Sequence, residues 1–229
     1  MLFLLNVIIS LQGCKKNTIS NTELPYSIVL IVGQSNTHSG IGLNSEIDTA
    51  ENGISQLGRF GADDMQIISA SEPLQHHTKD DNKIGFGLTY AKLLKEFSDL
   101  PSRILIIPCG YGNTGFRDNH WNQGDYLYND AVTRVRTVIE NNPESVLTSI
   151  LWHQGESDVG SPSYETDLDN FIINIRNDLN ATKVISTTSV KKKFSYEIKI
   201  ADFYFKDSAM LMVNRIINET KINNPKIKK

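Results

Sequence analysis

Three short polar segments carry the residue types that acyl transfer requires. Gly33-Gln34-Ser35-Asn36 offers a serine hydroxyl as nucleophile, and Gly110-Tyr111-Gly112-Asn113-Thr114 offers backbone N–H groups unshielded by side chains. Trp152-His153-Gln154-Gly155-Glu156-Ser157-Asp158 adds an amide, an imidazole and carboxylates. A serine alcohol attacks an ester only when a base takes its proton and donors hold the oxyanion that forms. Gly-x-Ser after a strand is also an ordinary turn, so Ser35 alone decides nothing.

The elements around these segments must bring them together. Each follows an apolar run of strand length: Ile28 to Val32, Arg103 to Ile107, and Val146 to Trp152, with Met65 to Ser69 as a further short strand. Apolar residues three and four apart predict helices over Gly85 to Phe97, halted before Pro101, and over Leu127 to Glu140. Ser161-Pro162 reads as a helix start, with serine as cap and proline at the first position, before a stripe of Tyr164, Leu168, Phe171, Ile172, Ile175 and Leu179. Lys183 to Thr188 reads as another strand and Ser208 to Asn218 as a last helix, while residues 36 to 62 read as one long functional loop. Strands alternating with helices predict an α/β fold whose parallel sheet is covered on both faces. In such a sheet the three polar segments leave the carboxyl edge, where ligands collect.

The 229 residues fit one domain, expected over 27–220, with a polar tail at 221–229. A net charge of -3 gives no electrostatic reason to expect nucleic acid, and a neutral or polar small molecule suits it better. Residues 1–13 are mostly apolar and run through Leu11-Gln12-Gly13 into Cys14, which resembles a bacterial lipoprotein signal. That reading places the protein outside the cytoplasm, lipid-anchored on Cys14 through a tether over 14–26; an ordinary buried strand is the alternative. Cys109, the second cysteine, reads as a small buried hydrophobe.

The three polar segments resemble the successive blocks of the SGNH hydrolases, in the sialate O-acetylesterase and carbohydrate esterase (acetylxylan esterase-like) branch. Glu72-Pro73-Leu74 and Ile84-Gly85-Phe86-Gly87-Leu88-Thr89-Tyr90-Ala91 match segments between the first two blocks, and the likeness runs from Ile28 to Asp158. It implies a flavodoxin-like three-layer α/β/α domain and a serine esterase that removes acetyl groups from sugars without metal or cofactor. Ser35 is then the nucleophile, and its own N–H, the Gly112 N–H and the Gln154 side-chain amide hold the oxyanion. Gln34, Asn36 and His153 belong to the matched blocks on the substrate side. Glu156 enters the catalytic network, orienting a base or acting as one, with a structural acid as the alternative. Asn113 stands where the family has a second glycine, which implies a slightly reshaped turn.

The family's base is a histidine three residues after an aspartate, near the last helix. Asp202 matches the aspartate, but Ile200 to Ser208 contains no histidine, and the five histidines stand at 38, 76, 77, 120 and 153. Of these, His38, three residues past Ser35, reads as a solvated loop residue, with reaching the site from the loop as the alternative; His76 and His77 read as a surface pair, and His153 as a residue that orients its neighbours. His120 precedes Trp121, whose indole either stacks on a pyranose ring or is buried. The expectation is weakened hydrolysis, or a glycan-binding protein that keeps the crevice without turnover.

Overall fold

A computed structural model describes residues 24–78, 81–97 and 103–180. The expected lipoprotein segment with Cys14, the strand at 183–188, Asp202, the last helix and the polar tail lie outside the described residues.

Five described strands form one sheet in the order β3-β2-β4-β1-β5. They are β1 (Tyr26–Gly33), β2 (Ile54–Leu57), β3 (Ile67–Ser69), β4 (Arg103–Pro108) and β5 (Val146–His153). Neighbours are parallel except for β3, which pairs antiparallel with β2 at the edge. Among the described residues three α-helices pack on the sheet: α1 (Gly87–Phe97), α2 (Tyr126–Asn141) and α3 (Tyr164–Asp178).

β1 lies in the sheet interior between β4 and β5 and is buried throughout, as a parallel strand covered on both faces must be. Its side chains alternate between two cores. Ile28, Leu30 and Val32 join Leu105, Ile107 and the inner faces of α2 and α3, whereas Val29 and Ile31 join Ile104, Ile106 and Leu151 under α1. Each such fully buried aliphatic side chain stabilises the fold by about 1.5–3 kcal/mol. The result is three layers, and the helices before and after β4 lie on opposite faces, which makes the edge beside β1 a switch point.

Two expectations need correction. Residues 36–62 are not one loop, because β2 lies within them. There Gln56 is buried in place of an apolar residue; its amide donates to the Ser69 carbonyl and its oxygen accepts from Gln75 N–H. α3 begins at Tyr164, with Ser163 as its cap residue, rather than at Ser161-Pro162. The Ser161 carbonyl instead accepts from Tyr164 N–H, and its hydroxyl lies 3.2 Å from that of Ser163, so this pair shapes the turn before the helix.

Candidate active site

Because β4, β1 and β5 are adjacent and parallel, the three polar segments emerge side by side at the carboxyl edge. β1 ends at Gly33, whose φ of 127° suits glycine; a Cβ there would lie 2.2 Å from the His153 carbonyl oxygen. That absent side chain lets the β1 turn lie directly on the end of β5, where Gln34 N–H donates to the same carbonyl at 2.9 Å. Ser35 then opens one turn of 3-10 helix, Ser35–Thr37, and its carbonyl accepts from the N–H groups of His38 and Ser39.

Thr37 is fully buried beneath Ser35, and its hydroxyl donates to the Gln34 carbonyl at 2.7 Å. The β4 turn packs against it: a Cβ on Gly110 would lie 1.9 Å from the Thr37 hydroxyl. Two residues on, the position where Gly112 would carry a side chain is 3.8 Å from Ser35 Cβ and 4.0 Å from Thr78 Oγ1, so the Gly112 backbone borders the serine. Asn113 follows with φ 58°, a left-handed conformation that asparagine tolerates better than most residues.

On the β5 side, Asn36 donates to Glu156, joining the residue after the serine to an exposed carboxylate. Gln34 is buried, and its side-chain oxygen accepts from the N–H groups of Gly155 and Ser157 at 3.4 and 3.2 Å. It ties two turns together and does not face the substrate side. Gln154 departs from its expected place as well. Its amide donates to the Thr114 carbonyl at 3.1 Å and to Asp158 Oδ2 at 2.7 Å, so both protons are engaged inside the protein. The cause is Asp158, fully buried, which also accepts from the backbone N–H groups of Phe116 and Arg117 and has the half-exposed Arg117 guanidinium 3.5 Å from its Oδ1. A buried carboxylate must be met by donors, and the nearest are these turns and the Gln154 amide.

Trp121 is fully buried, with its indole N–H donating to Thr114 Oγ1 at 3.0 Å, and it cannot stack on a sugar. His153 packs against Phe86 at the end of β5; burial lowers its pKa, and the charge of Glu156 opposes the shift only in part. His120 accepts from Gly115 N–H at 3.3 Å. Neither His38 nor His76 is at the surface. Their rings lie 5.1 Å apart and both are buried, His38 beside the Ser39 hydroxyl. His76 Nδ1 accepts from Gly110 N–H at 2.9 Å, so Nε2 carries the proton. Burial, with His38, Arg59 and His77 nearby, holds its pKa well below the ordinary histidine value.

A charged network behind the β4 turn escaped the sequence reading. Asp130 accepts from Arg59 at 3.0 Å, His77 at 3.1 Å and Arg134 at 3.2 Å, and Arg134 also pairs with Asp64 at 2.7 Å. Burial alone would raise the Asp130 carboxyl, but the His77 hydrogen bond and the two guanidinium groups outweigh it and hold it well below the usual range. Arg59 further donates to the Pro108 carbonyl and to Cys109 Sγ. Cys109 is fully buried, as its sequence setting implied, and burial pushes its thiol up to about 12. Among the described residues no group of three or more His, Cys, Asp or Glu side chains could hold a metal ion.

Comparison with known proteins fits this geometry. The family model described as carbohydrate esterase, sialic acid-specific acetylesterase, matches residues 25–223. A probable carbohydrate esterase of Arabidopsis thaliana is 33% identical over 134 residues, covering 55% of this chain and 49% of that protein. A probable 9-O-acetyl-N-acetylneuraminic acid deacetylase of Escherichia coli K12 is 25% identical over 188 residues, covering 64% and 57%. The chain thus spans about half the length of the curated relatives it matches. The crystal structure of NanS shares the fold, with a TM-score of 0.62 at 21% identity over 72% of this chain and 66% of that one. The structure of an Arabidopsis thaliana protein gives 0.56 at 27% identity over 70% and 72%.

Proposed function

Since the chain belongs to the sialic acid-specific acetylesterase family of carbohydrate esterases, we propose that it removes acetyl groups from sugars through an acyl-enzyme on Ser35. Family membership supports acetyl-ester cleavage as the reaction class; the residue roles are our assignment. Ser35 Oγ attacks the acetyl carbonyl while the Ser35 and Gly112 N–H groups hold the oxyanion; the acyl–oxygen bond to the sugar breaks and the serine proton ends on the departing sugar oxygen, after which water adds to the acyl-enzyme, returns a proton to Ser35 and releases acetate. The observation that carries this is the position of the Gly112 backbone against Ser35, two turns meeting where a nucleophile and a backbone donor are needed together.

Glu156, held through Asn36, is the acidic partner beside the serine. Asp202 is assigned as a second acid by its match to the family's aspartate. Gln154 acts by holding the Thr114 and Asp158 turns in place. With no histidine in Ile200 to Ser208, the account predicts slow turnover, in the range of about 10³–10⁴ over water that donors and binding supply without a full triad. Hydrolysis of an O-acetylated sugar and of p-nitrophenyl acetate, measured beside Ser35→Ala, tests it. Loss of turnover in the variant supports the assignment, and equal rates contradict it.

A glycan-binding protein on the same scaffold is the second reading. It is favoured by the missing imidazole and by the inward-turned Gln154 amide. It predicts affinity for acetylated glycans with no serine-dependent turnover, and absence of binding by calorimetry counts against it. Lipid anchoring on Cys14 is also proposed from the sequence. Loss of the protein from the membrane fraction in Cys14→Ser supports it, and unchanged fractionation contradicts it.

A further inference from the structure

We propose that Tyr111 and Tyr126, braced by His77, form the surface on which the pyranose ring of the acetylated substrate stacks. This rests on reading the Ser35 crevice as an acetylesterase site and assigns the part of that site that recognises the sugar.

Two tyrosines that meet at the His77 ring remain open to solvent: Tyr111 is 42% exposed and Tyr126 68%. Both contact one imidazole. The His77 ring stacks on Tyr111 at 5.4 Å with 27° between the planes, and Tyr126 meets it edge-on at 5.9 Å. The platform adjoins Ser35 through the β4 turn. Tyr111 precedes Gly112, which borders the serine, and His77 precedes Thr78, whose hydroxyl lies 4.0 Å from the same side-chain position of Gly112.

The brace is rigid. Arg59 Nη1 lies 3.4 Å from His77 Nδ1, and since a guanidinium only donates, Nδ1 accepts and Nε2–H donates to Asp130. The His77 backbone N–H is also bonded to the Gly110 carbonyl at 3.0 Å, which ties the imidazole to the turn that carries Tyr111. Rings held in advance lose little freedom when a ligand arrives.

The chemistry of the patch points to a neutral sugar face. Asp130 lies against Arg59 and Arg134, so its charge is balanced behind the imidazole. What faces solvent is aromatic area, with the exposed amide side chain of Asn113 two residues along the same turn from Tyr111. A pyranose has one face of C–H groups and a rim of hydroxyls, which suits an aromatic wall with an amide at its edge.

The test compares kcat/KM for an acetylated methyl glycoside with that for ethyl acetate, which has no ring to stack, in the wild type, Tyr111→Ala, Tyr111→Phe and Tyr126→Ala. Tyr111→Ala is expected to lose roughly tenfold more on the glycoside than on ethyl acetate, chiefly through KM, with Tyr126→Ala losing less and Tyr111→Phe close to wild type. Equal losses on both esters, or a loss in Tyr111→Phe as large as in Tyr111→Ala, overturn the platform. Phenyl acetate preferred over the glycoside in a Tyr111-dependent way also overturns it, since the wall then selects aryl esters. If the wild type cleaves none of these esters, the esterase reading fails and the platform is judged by ligand-observed NMR of the same glycoside on Ser35→Ala. Binding weakened roughly tenfold by adding Tyr111→Ala supports it, and no binding overturns it.

Discussion

On the β5 side of Ser35 the turns are held by one buried carboxylate that gathers mostly neutral donors, with a single half-exposed guanidinium at its edge, whereas on the β4 side they are backed by a largely buried network of full charges. Asp158 collects two backbone N–H groups and the Gln154 amide at close range and the Arg117 guanidinium at 3.5 Å; Asp130 collects two guanidinium groups and an imidazole. The first arrangement fixes backbone against backbone over a few residues. The second reaches from Arg59 to Asp130 and fixes side chains, among them the imidazole behind Tyr111. One flank sets the shape of the crevice floor, and the other braces its wall.

Substitutions can break this contrast. The largest effect is expected where the flanks meet, at Gly33. Gly33→Ala places a methyl against the His153 carbonyl and demands an unfavourable φ, with a cost of at least about 5 kcal/mol. Soluble yield and urea unfolding read it out; near wild-type stability means that the β1 and β5 ends need not lie so close.

Asp158→Ala comes next. It strips the acceptor from the buried Phe116 N–H and Gln154 amide and from the part-buried Arg117 N–H, and removes the Arg117 counter-charge, for a loss on the order of 4 kcal/mol by urea unfolding. A loss below about 1 kcal/mol means that water or another group serves these donors equally well.

Asp130→Asn is expected to cost on the order of 3 kcal/mol at neutral pH, because two guanidinium groups lose their shared counter-charge. The pH dependence sharpens this. The folded carboxyl titrates well below its unfolded value of about 4, so its contribution is present above that value and disappears as pH falls further towards the folded pKa. The stability gap between wild type and variant is therefore flat from pH 5 to 8 and closes below about pH 4. A constant gap down to pH 2 excludes the ionic account.

His76 gives the smallest effect and a different window. Its folded pKa is depressed, so the unfolded chain takes up a proton first, and stability falls as pH drops below about 6.5 with a slope of up to about 1.4 kcal/mol per pH unit. His153 shifts in the same direction, so His76→Asn, which can still accept from Gly110 N–H, reduces that slope without removing it. An unchanged slope means that His76 is not the buried neutral group described.

How much of this could be read from the chain follows from which contacts are local. β1 and β4 were legible because strands buried on both faces are nearly continuous aliphatic runs, β5 because apolar residues at both its ends flank only Thr148-Ser149, and α1 and α2 because their apolar residues recur every three or four positions. The three polar turns followed from those strands. β2 did not, since buried Gln56 breaks its apolar pattern and finds partners at Ser69 and Gln75 only after folding. The inward turn of Gln154 depends on a carboxylate being drawn beneath Phe116 and Arg117. The charged wall joins residues up to 71 positions apart, and nothing in the chain near Arg59, His77 or Asp130 announces their partners.

The central claim is that Ser35 carries the acetyl group. Brief mixing of the protein with p-nitrophenyl acetate, an acid quench and peptide mass spectrometry test it directly. The account predicts one acetyl group on the peptide bearing Ser35 and none on Ser35→Ala; an unmodified Ser35 alongside turnover that survives Ser35→Ala would contradict it.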